Sequence, residues 1–199
     1  MVKDRLEKAE INMQYEYANG IGQDSHRFMQ PCEAQLKSAD KWPKKLILAG
    51  VEFPGETPLV ANSDGDAVLH ALTNAISGVT GVNILGPIAD QMCQSGITDS
   101  AEYLKKGLSF AVDQGWELTH ISISIEGKRP KFTPMIGPMK IRIGELCNLA
   151  PERIGITATT GENLTRFGEG EGIMVFCSVT MRREEVDLSS RPEQPGLSE

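Results

Sequence analysis

The chain has 199 residues, 40% of them hydrophobic and 24% charged, a composition that predicts one globular domain with room for terminal tails. Its 27 acidic residues outnumber the 20 basic ones, and the net charge of −7 argues against a nucleic-acid or membrane surface, which needs clustered lysine and arginine. No apolar run approaches the roughly 18 residues that cross a bilayer. We expect a soluble protein in a reducing compartment such as the cytoplasm.

The two ends of the chain are predicted to lie outside the folded domain. Residues 1–17 mix acidic and basic side chains with only a weak helical period, which makes them an N-terminal extension. Residues 184–199 are rich in proline, serine and glutamate and poor in large apolar side chains, a composition typical of a disordered acidic tail. The domain itself is expected to cover residues 18–183.

Strand and helix patterns alternate between these ends. Strand patterns occur at residues 19–26, 45–53, 118–126, 154–159 and 172–181. Helical patterns, with apolar residues on one face, occur at residues 65–78, 100–114 and 136–148. The clearest strand alternates isoleucine and serine from Ile121 to Ile125, the pattern of a sheet covered on one side. The combination predicts an α/β (α+β) two-layer sandwich, with a mixed four- to five-stranded sheet and helices on one face.

The first candidates for chemistry are Asp24 and His26, two positions apart on a predicted strand. Alternate residues of an extended chain project to the same face, so the two side chains suit chelation of one ion. A carboxylate and a neutral imidazole are ordinary zinc ligands, but two ligands do not make a site. A surface Asp–His pair at a strand end is the alternative interpretation of these residues alone.

A third candidate ligand is His70, which follows the acidic run Asn-Ser-Asp-Gly-Asp at residues 62–66. Asp66 and His70 are four residues apart on a predicted helix and share one face, so Asp66 could orient the imidazole of His70. Three protein ligands and an open fourth position form the catalytic arrangement of zinc. The alternative is an acidic capping loop before a helix that carries a structural histidine.

Two further segments could contact phosphate or nucleotide groups. Residues 158–162 (Ala-Thr-Thr-Gly-Glu) offer hydroxyls, backbone N–H groups and a carboxylate at a strand end, which suit phosphate oxygens and a hard cation such as magnesium. Residues 128–132 (Lys-Arg-Pro-Lys-Phe) place an aromatic ring beside a basic cluster. An ordinary strand-to-turn transition and a solvated loop are the alternatives. The glycine-rich run at residues 168–172 is predicted to be a tight turn, since its two glutamates would repel phosphate.

Taken in order, these motifs resemble those of the 2-C-methyl-D-erythritol 2,4-cyclodiphosphate synthases of the non-mevalonate isoprenoid pathway. The resemblance rests on Asp24-x-His26, the run at 62–66 leading to His70, Pro130-Lys131, and the run at 158–162 followed by Gly170-Glu171-Gly172. It covers roughly residues 18–183 and implies a homotrimer of two-layer α/β subunits with active sites between neighbours. It also implies the substrate, 4-diphosphocytidyl-2-C-methyl-D-erythritol 2-phosphate, and the products, the 2,4-cyclodiphosphate and CMP. The location it implies is the bacterial cytoplasm, with a plastid-type organelle as the alternative.

The resemblance also implies roles for individual residues. Asp24, His26 and His70 match zinc ligands, and Glu162 matches a carboxylate that reaches a second divalent cation, magnesium or manganese, between two phosphates. Catalytic positions beside the reacting phosphates are held by Asn62 and Thr160. Substrate-contacting positions are held by Ser63, Asn83, Asp90, Glu162 and the matches to a cytidine pocket, which are Gly127, Pro130, Lys131, Phe132 and Thr159.

Four residues depart from the family pattern: Asn62, Asn83, Asn163 and Glu169. The family usually has a histidine, the aspartate of an Asp-Ile-Gly segment, a lysine and an arginine at these positions. Asn62 can still donate a hydrogen bond but carries no charge. Three symmetry-related copies of Glu169 would repel an isoprenoid diphosphate at the trimer axis.

The departures motivate one alternative, a catalytically impaired homologue that binds a nucleotide or an isoprenoid as a trimer. A metal-dependent nucleotide pyrophosphatase is the second alternative.

Overall fold

A central four-stranded sheet, a small hairpin and four α-helices make up the part of the chain that the computed structural model describes, residues 14–30 and 44–185. The strands are β1 (Tyr15–Arg27), β2 (Leu46–Leu48), β3 (Val51–Phe53), β4 (Glu117–Glu126), β5 (Ile154–Thr159) and β6 (Gly172–Glu184). The helices are α1 (Ala67–Thr80), α2 (Ala89–Gln94), α3 (Ser100–Asp113) and α4 (Ile136–Cys147). None of these helices combines the length and the apolar character that crossing a bilayer requires. The predictions for residues 1–13 and 186–199 lie outside the described residues.

The central sheet has the strand order β1–β6–β4–β5, with β4 and β5 parallel and the other neighbours antiparallel. The predicted alternation on β4 is confirmed, because Ile121, Ile123 and Ile125 are buried while the serines between them face outward. Helix α1 packs on the apolar side, against β1 and β6. The prediction of a mixed α/β fold with a mixed four-stranded sheet is therefore confirmed.

The contact between β1 and α1 is backbone against backbone. A Cβ atom at Gly20 would overlap the main chain of Ala75, and one at Gly22 would overlap the main chain of Ala71. Glycine at these two strand positions therefore allows the helix to lie directly on the strand.

Residues 45–53, predicted as one strand, instead form a hairpin of the short strands β2 and β3. The turn between them needs a positive φ at Ala49 (57°) and at Gly50 (69°), a conformation that strand patterning does not reveal. The segment between α1 and α3 held no predicted element, yet it contains a π-helical turn at Ile84–Ile88 and the helix α2.

Asp66 joins the hairpin to the start of α1. Its buried carboxylate accepts hydrogen bonds from the backbone N–H groups of Ala49 and Gly50 at 2.8 and 2.6 Å, and from two N–H groups in the first turn of α1 at 3.0 and 3.1 Å. Burial raises the pKa of Asp66 to about 6, which leaves the group ionised at neutral pH. The prediction that Asp66 orients the imidazole of His70 is wrong, because the ring nitrogens of His70 face Asp24 and Ser100 instead.

Asp66→Ala is expected to lower the free energy of unfolding by about 3 kcal/mol or more, because it leaves buried N–H donors unpaired in two elements. Asp99 is the matched control, since it is exposed and caps α3 through one hydrogen bond, from the backbone N–H of Ala101 at 2.8 Å. Asp99→Ala should cost about 1 kcal/mol. Equal losses for the two variants in denaturant unfolding would contradict this role of Asp66.

Candidate active site

Asp24, His26 and His70 point their polar atoms at one another at one end of the sheet. Oδ2 of Asp24 lies 3.0 Å from Nε2 of His26 and 3.1 Å from Nδ1 of His70, and the two nitrogens are 3.4 Å apart. Ligand atoms of a tetrahedral zinc ion, each ~2.0–2.1 Å from the metal, are ~3.3 Å from one another. This triad therefore has the donor types and the spacing that could hold one metal ion.

Two elements bring the triad together. Asp24 and His26 lie on β1 opposite Val175 and Ile173 of β6, which are buried. Directly opposed residues project to the same face, so both ligands point to the side of the sheet that carries the helices. His70 lies in the first turn of α1 and is 8% exposed. Because α1 packs directly on β1, a histidine in its first turn reaches the two strand ligands.

The triad is also coupled by charge. Burial alone would raise the pKa of Asp24, but hydrogen bonds and positive charge from His26 and His70 hold that pKa well below its ordinary value. Burial alone would lower the pKa of His70, but the hydrogen bond and the charge of Asp24 outweigh burial and raise it. A proton and a metal ion therefore compete for the same position beside Asp24.

The affinity for zinc is expected to fall as the pH is lowered through the raised pKa of His70. The protonated imidazole has no lone pair on Nδ1, so the proton must leave before the nitrogen can bind a metal. Titration of metal-free protein with Zn²⁺ at about pH 8 and about pH 6 checks the sign, and we expect tighter binding at the higher pH. An affinity that does not change between the two would contradict metal binding through His70.

The triad lines one side of a cavity of about 700 Å³. Of the residues predicted at catalytic and substrate positions, Asn62, Ser63 and Asp90 line the same cavity. The opposite wall comes from α2 and from the π-helical turn before it, whose backbone leaves helical geometry in the middle. Asn83, which was also predicted to contact substrate, is exposed just before that turn and does not line the cavity.

Three residues beside the triad have no predicted role. Cys93 and Tyr103 line the cavity, and Oγ of Ser100 lies 2.9 Å from Nε2 of His70. The sequence around Ser100 and Tyr103 signals only an amphipathic helix, and Cys93 lies in a segment without a clear period. Ser100 and Tyr103 reach the site because α3 packs beside α1, and Cys93 reaches it from α2; no local sequence pattern shows either arrangement.

The remaining predicted residues form a second group at the carboxyl ends of β4 and β5. Its members are Gly127, Pro130, Lys131, Phe132, Thr159, Thr160 and Glu162. The backbone N–H of Gly127 donates to the carbonyl of Thr159 at 3.0 Å, which joins the two strand ends. β5 lies three strand spacings from β1, or ~14 Å at ~4.8 Å each, and β4 lies two spacings away, or ~10 Å. No member of the group lines the triad's cavity. Within one chain the triad and the second group are therefore apart.

Only part of the second group is open to a ligand. Lys131, Thr160 and Glu162 are exposed, and Oγ1 of Thr160 donates to Oε1 of Glu162 at 3.3 Å. The ring of Phe132 packs edge-on against Phe53, with centroids 6.3 Å apart, and the residue is 5% exposed. Phe132 could therefore present its backbone to a nucleotide, whereas its ring belongs to the core.

Two of the departures from the family pattern also lie near the second group. Oδ1 of Asn163 accepts a hydrogen bond from Nζ of Lys128 at 3.0 Å, which ties the β5–β6 connection to the basic loop. Glu169 is exposed in a turn, in which the N–H of Gly170 donates to the carbonyl of Phe167 at 3.0 Å. The glycine-rich run thus begins in a tight turn, as predicted.

The sequence profile of the YgbB family matches residues 17–182. The chain belongs to the YgbB family. The 2-C-methyl-D-erythritol 2,4-cyclodiphosphate synthase of Chlamydia trachomatis is 43% identical to it over 166 residues, which are 83% of this chain and 88% of that enzyme. The resemblance predicted from the motifs is confirmed.

Two solved structures share the fold. The bifunctional IspDF from Campylobacter jejuni superimposes with a TM-score of 0.72 at 31% identity, over 85% of this chain and 43% of the bifunctional protein. A 2C-methyl-D-erythritol-2,4-cyclodiphosphate synthase in its CDP-bound form superimposes with a TM-score of 0.68 at 26% identity, over 82% of this chain and 99% of that synthase. The chain thus spans less than half of the first protein and nearly all of the second.

Proposed function

We propose that this chain converts 4-diphosphocytidyl-2-C-methyl-D-erythritol 2-phosphate to 2-C-methyl-D-erythritol 2,4-cyclodiphosphate with release of CMP, as a phosphorus–oxygen lyase. The observation that carries the proposal is the triad of Asp24, His26 and His70 beside a cavity, in a chain whose relatives are cyclodiphosphate synthases. Nothing in the part of the chain that the structure describes favours an impaired binding protein or a pyrophosphatase.

The donor set of the triad fits zinc. Two imidazole nitrogens and one carboxylate oxygen are ligand types of catalytic Zn²⁺ sites, which keep one position for water or substrate. When bound there, zinc supplies positive charge and Lewis-acid polarisation of a phosphate oxygen. The exposed carboxylate of Glu162 is an oxygen ligand of the kind that Mg²⁺ or Mn²⁺ prefers, and it is proposed for the second cation.

The reaction needs no activated side chain, because the nucleophile belongs to the substrate. An oxygen of the 2-phosphate attacks the β-phosphorus, the bond from this phosphorus to the oxygen of the α-phosphate breaks, and CMP keeps that oxygen. Holding the reacting groups in line can supply ~7–11 kcal/mol of the barrier. The protein therefore has to bind the substrate in a folded conformation and to offset the repulsion between its anionic groups.

The cavity residues are proposed to orient the substrate. Asn62 and Ser63 can donate hydrogen bonds to phosphate oxygens, and Asp90 can accept hydrogen bonds from sugar hydroxyls. In the second group, the ammonium of Lys131 and the hydroxyls of Thr159 and Thr160 are proposed to hold the nucleotide part.

We further propose a homotrimer in which the second group of one subunit approaches the triad of its neighbour. The separation of ~10–14 Å within one chain supports a shared site, since one substrate must contact both groups. The sheet face away from the helices is open and carries exposed apolar side chains, Ile21 at 76% and Phe176 at 46%. Exposed apolar residues on an uncovered sheet are typical of a surface that another subunit covers.

Mixing two inactive variants tests the shared site. His70→Ala damages the triad and Lys131→Ala damages the second group, so each variant alone should be inactive. Hybrid trimers from co-expression join an intact triad to an intact second group at some interfaces, and activity should return. A lack of recovery in hybrids that are shown to form would mean that both groups serve one subunit.

Release of CMP tests the proposed activity itself. Protein stripped of metals by a chelator should release no CMP from the cytidyl substrate, and addition of Zn²⁺ with Mg²⁺ should restore release. A protein that releases no CMP under any metal condition would contradict the proposal.

The proposed partners are this small cytidine diphosphate derivative and further copies of the chain. The CDP-bound synthase supports a nucleotide ligand. The bacterial relatives support a cytoplasmic location, which cell fractionation tests.

A further inference from the structure

The second ring nitrogen of His70 begins a buried chain of hydrogen bonds that leads away from the triad. Nε2 lies 2.9 Å from Oγ of Ser100, and this hydroxyl donates to Oδ1 of Asp64. Ser100 is fully buried and His70 is 8% exposed, so water competes little with these contacts. Oγ of Ser63 lies farther from the same nitrogen, at 3.4 Å.

The carboxylate of Asp64 determines which groups donate and which accept in these hydrogen bonds. A carboxylate can only accept hydrogen bonds, and that of Asp64 accepts from the backbone N–H groups of Ser100 and Asp66 at 3.0 and 3.2 Å. The single hydroxyl proton of Ser100 is directed to the same carboxylate. The hydroxyl oxygen of Ser100 can then only accept from His70, which places a proton on Nε2. Nδ1, which faces Asp24, is left to offer its lone pair to a metal.

We propose that Asp64 and Ser100 are positioning residues that fix the Nε2–H form of His70 and so present Nδ1 as a metal ligand. Each comes from a different part of the fold, Asp64 from the loop before α1 and Ser100 from the first residue of α3. The two residues hold the ring of His70 from the side opposite Asp24. This inference rests on the proposed metal centre. It adds that hydrogen bonds from Asp64 through Ser100 hold His70, one of the ligands of that centre.

Ser100→Ala is expected to weaken zinc binding by about 10- to 100-fold, the usual effect of removing a hydrogen-bond partner from a metal-bound histidine. Thr73→Val is the matched control, because it removes an equally buried hydroxyl from the helix that carries His70. Oγ1 of Thr73 donates to the carbonyl of Leu69 at 2.7 Å instead of to a residue of the triad. Competition with a chromophoric chelator measures both affinities, and thermal unfolding of the metal-free proteins shows whether both variants fold.

A spectroscopic readout separates positioning from a general effect on packing. In the zinc-loaded wild type, the Nε2–H of His70 should give a ring ¹H–¹⁵N resonance protected from exchange by its hydrogen bond. The resonance should shift and exchange faster in Ser100→Ala, and it should be unchanged in Thr73→Val. Asp64→Ala is the second variant, for use also if Ser100→Ala does not fold. It removes the acceptor of the Ser100 hydroxyl proton, which can then turn toward Nε2 of His70, so zinc binding should weaken and the resonance should shift.

The proposal is overturned if the folded variants at positions 64 and 100 bind zinc as tightly as the wild type with the His70 resonance unmoved. It is also overturned if Thr73→Val loses as much affinity as Ser100→Ala. Asp24→Ala separates failure of this proposal from failure of the metal centre on which it rests. A wild type that binds zinc no better than Asp24→Ala would contradict the metal centre itself.

Discussion

Replacing His70 by alanine is expected to lower kcat/KM by about 10³-fold or more and to abolish tight zinc binding. The change removes one of three ligand atoms that lie 3.0–3.4 Å from one another, and two ligands do not hold a catalytic zinc ion. Loss of the metal would remove several kcal/mol of stabilisation from the transition state, and ~4 kcal/mol corresponds to ~10³ in rate. Zinc content and steady-state kinetics measure the two effects.

His120→Ala is the control for this prediction. His120 is exposed on β4 opposite Thr180, away from the triad. This variant should keep wild-type zinc content and kcat/KM within about twofold, as surface substitutions usually do. A His70→Ala protein that retains zinc and activity would contradict the assignment of the triad.

Gly22→Ala is expected to destabilise the protein by about 3 kcal/mol or more and to weaken metal binding in the fraction that folds. The new Cβ atom would overlap the main chain of α1 at Ala71 and Ala75, and backbone cannot move aside as a side chain can. Gly22 is two residues from Asp24, and Ala71 is next to His70. The helix and the strand must therefore separate at the place where they hold the metal ligands. Denaturant unfolding and zinc titration measure the two consequences.

Gly137→Ala is the matched control for Gly22→Ala. Gly137 lies near the start of α4, and a Cβ atom there would meet no heavy atom within 4 Å. Alanine is the better helix former, so Gly137→Ala should be neutral or stabilising by about 0.5–1 kcal/mol. Equal behaviour of the two variants would show that the close contact between β1 and α1 is not needed.

The regular elements could be predicted because their signals are local. Alternating isoleucine and serine between Ile121 and Ile125 predicts a strand with one covered face, and the structure has that strand. The hairpin at residues 45–53 could not be predicted, because its turn depends on Asp66, a residue distant in sequence whose carboxylate binds the N–H groups of Ala49 and Gly50. Helix α2 has only six residues and no side-chain cap, so it carries little pattern.

The candidate site, too, could be predicted only where its residues follow a local pattern. The spacing of Asp24 and His26 on a strand, and of His70 after a capping loop, predicts ligands on two elements, and the structure places the three together. The contact of Ser100 with His70 depends on how α3 packs on α1, which the sequence near Ser100 does not express. The ring of Phe132 packs against Phe53 in the core, although its position beside basic residues favoured a contact with a nucleotide.

The identity of the phosphorus product tests the proposed reaction most directly. Incubation with the cytidyl substrate, Zn²⁺ and Mg²⁺ followed by ³¹P NMR should show CMP and an equal amount of a product with two phosphorus atoms coupled through one bridging oxygen, the 2,4-cyclodiphosphate. A pyrophosphatase would also release CMP, but it would use water as the nucleophile and leave two uncoupled phosphate monoesters on the sugar alcohol. Finding that linear bisphosphate, or unchanged substrate, would contradict the cyclisation.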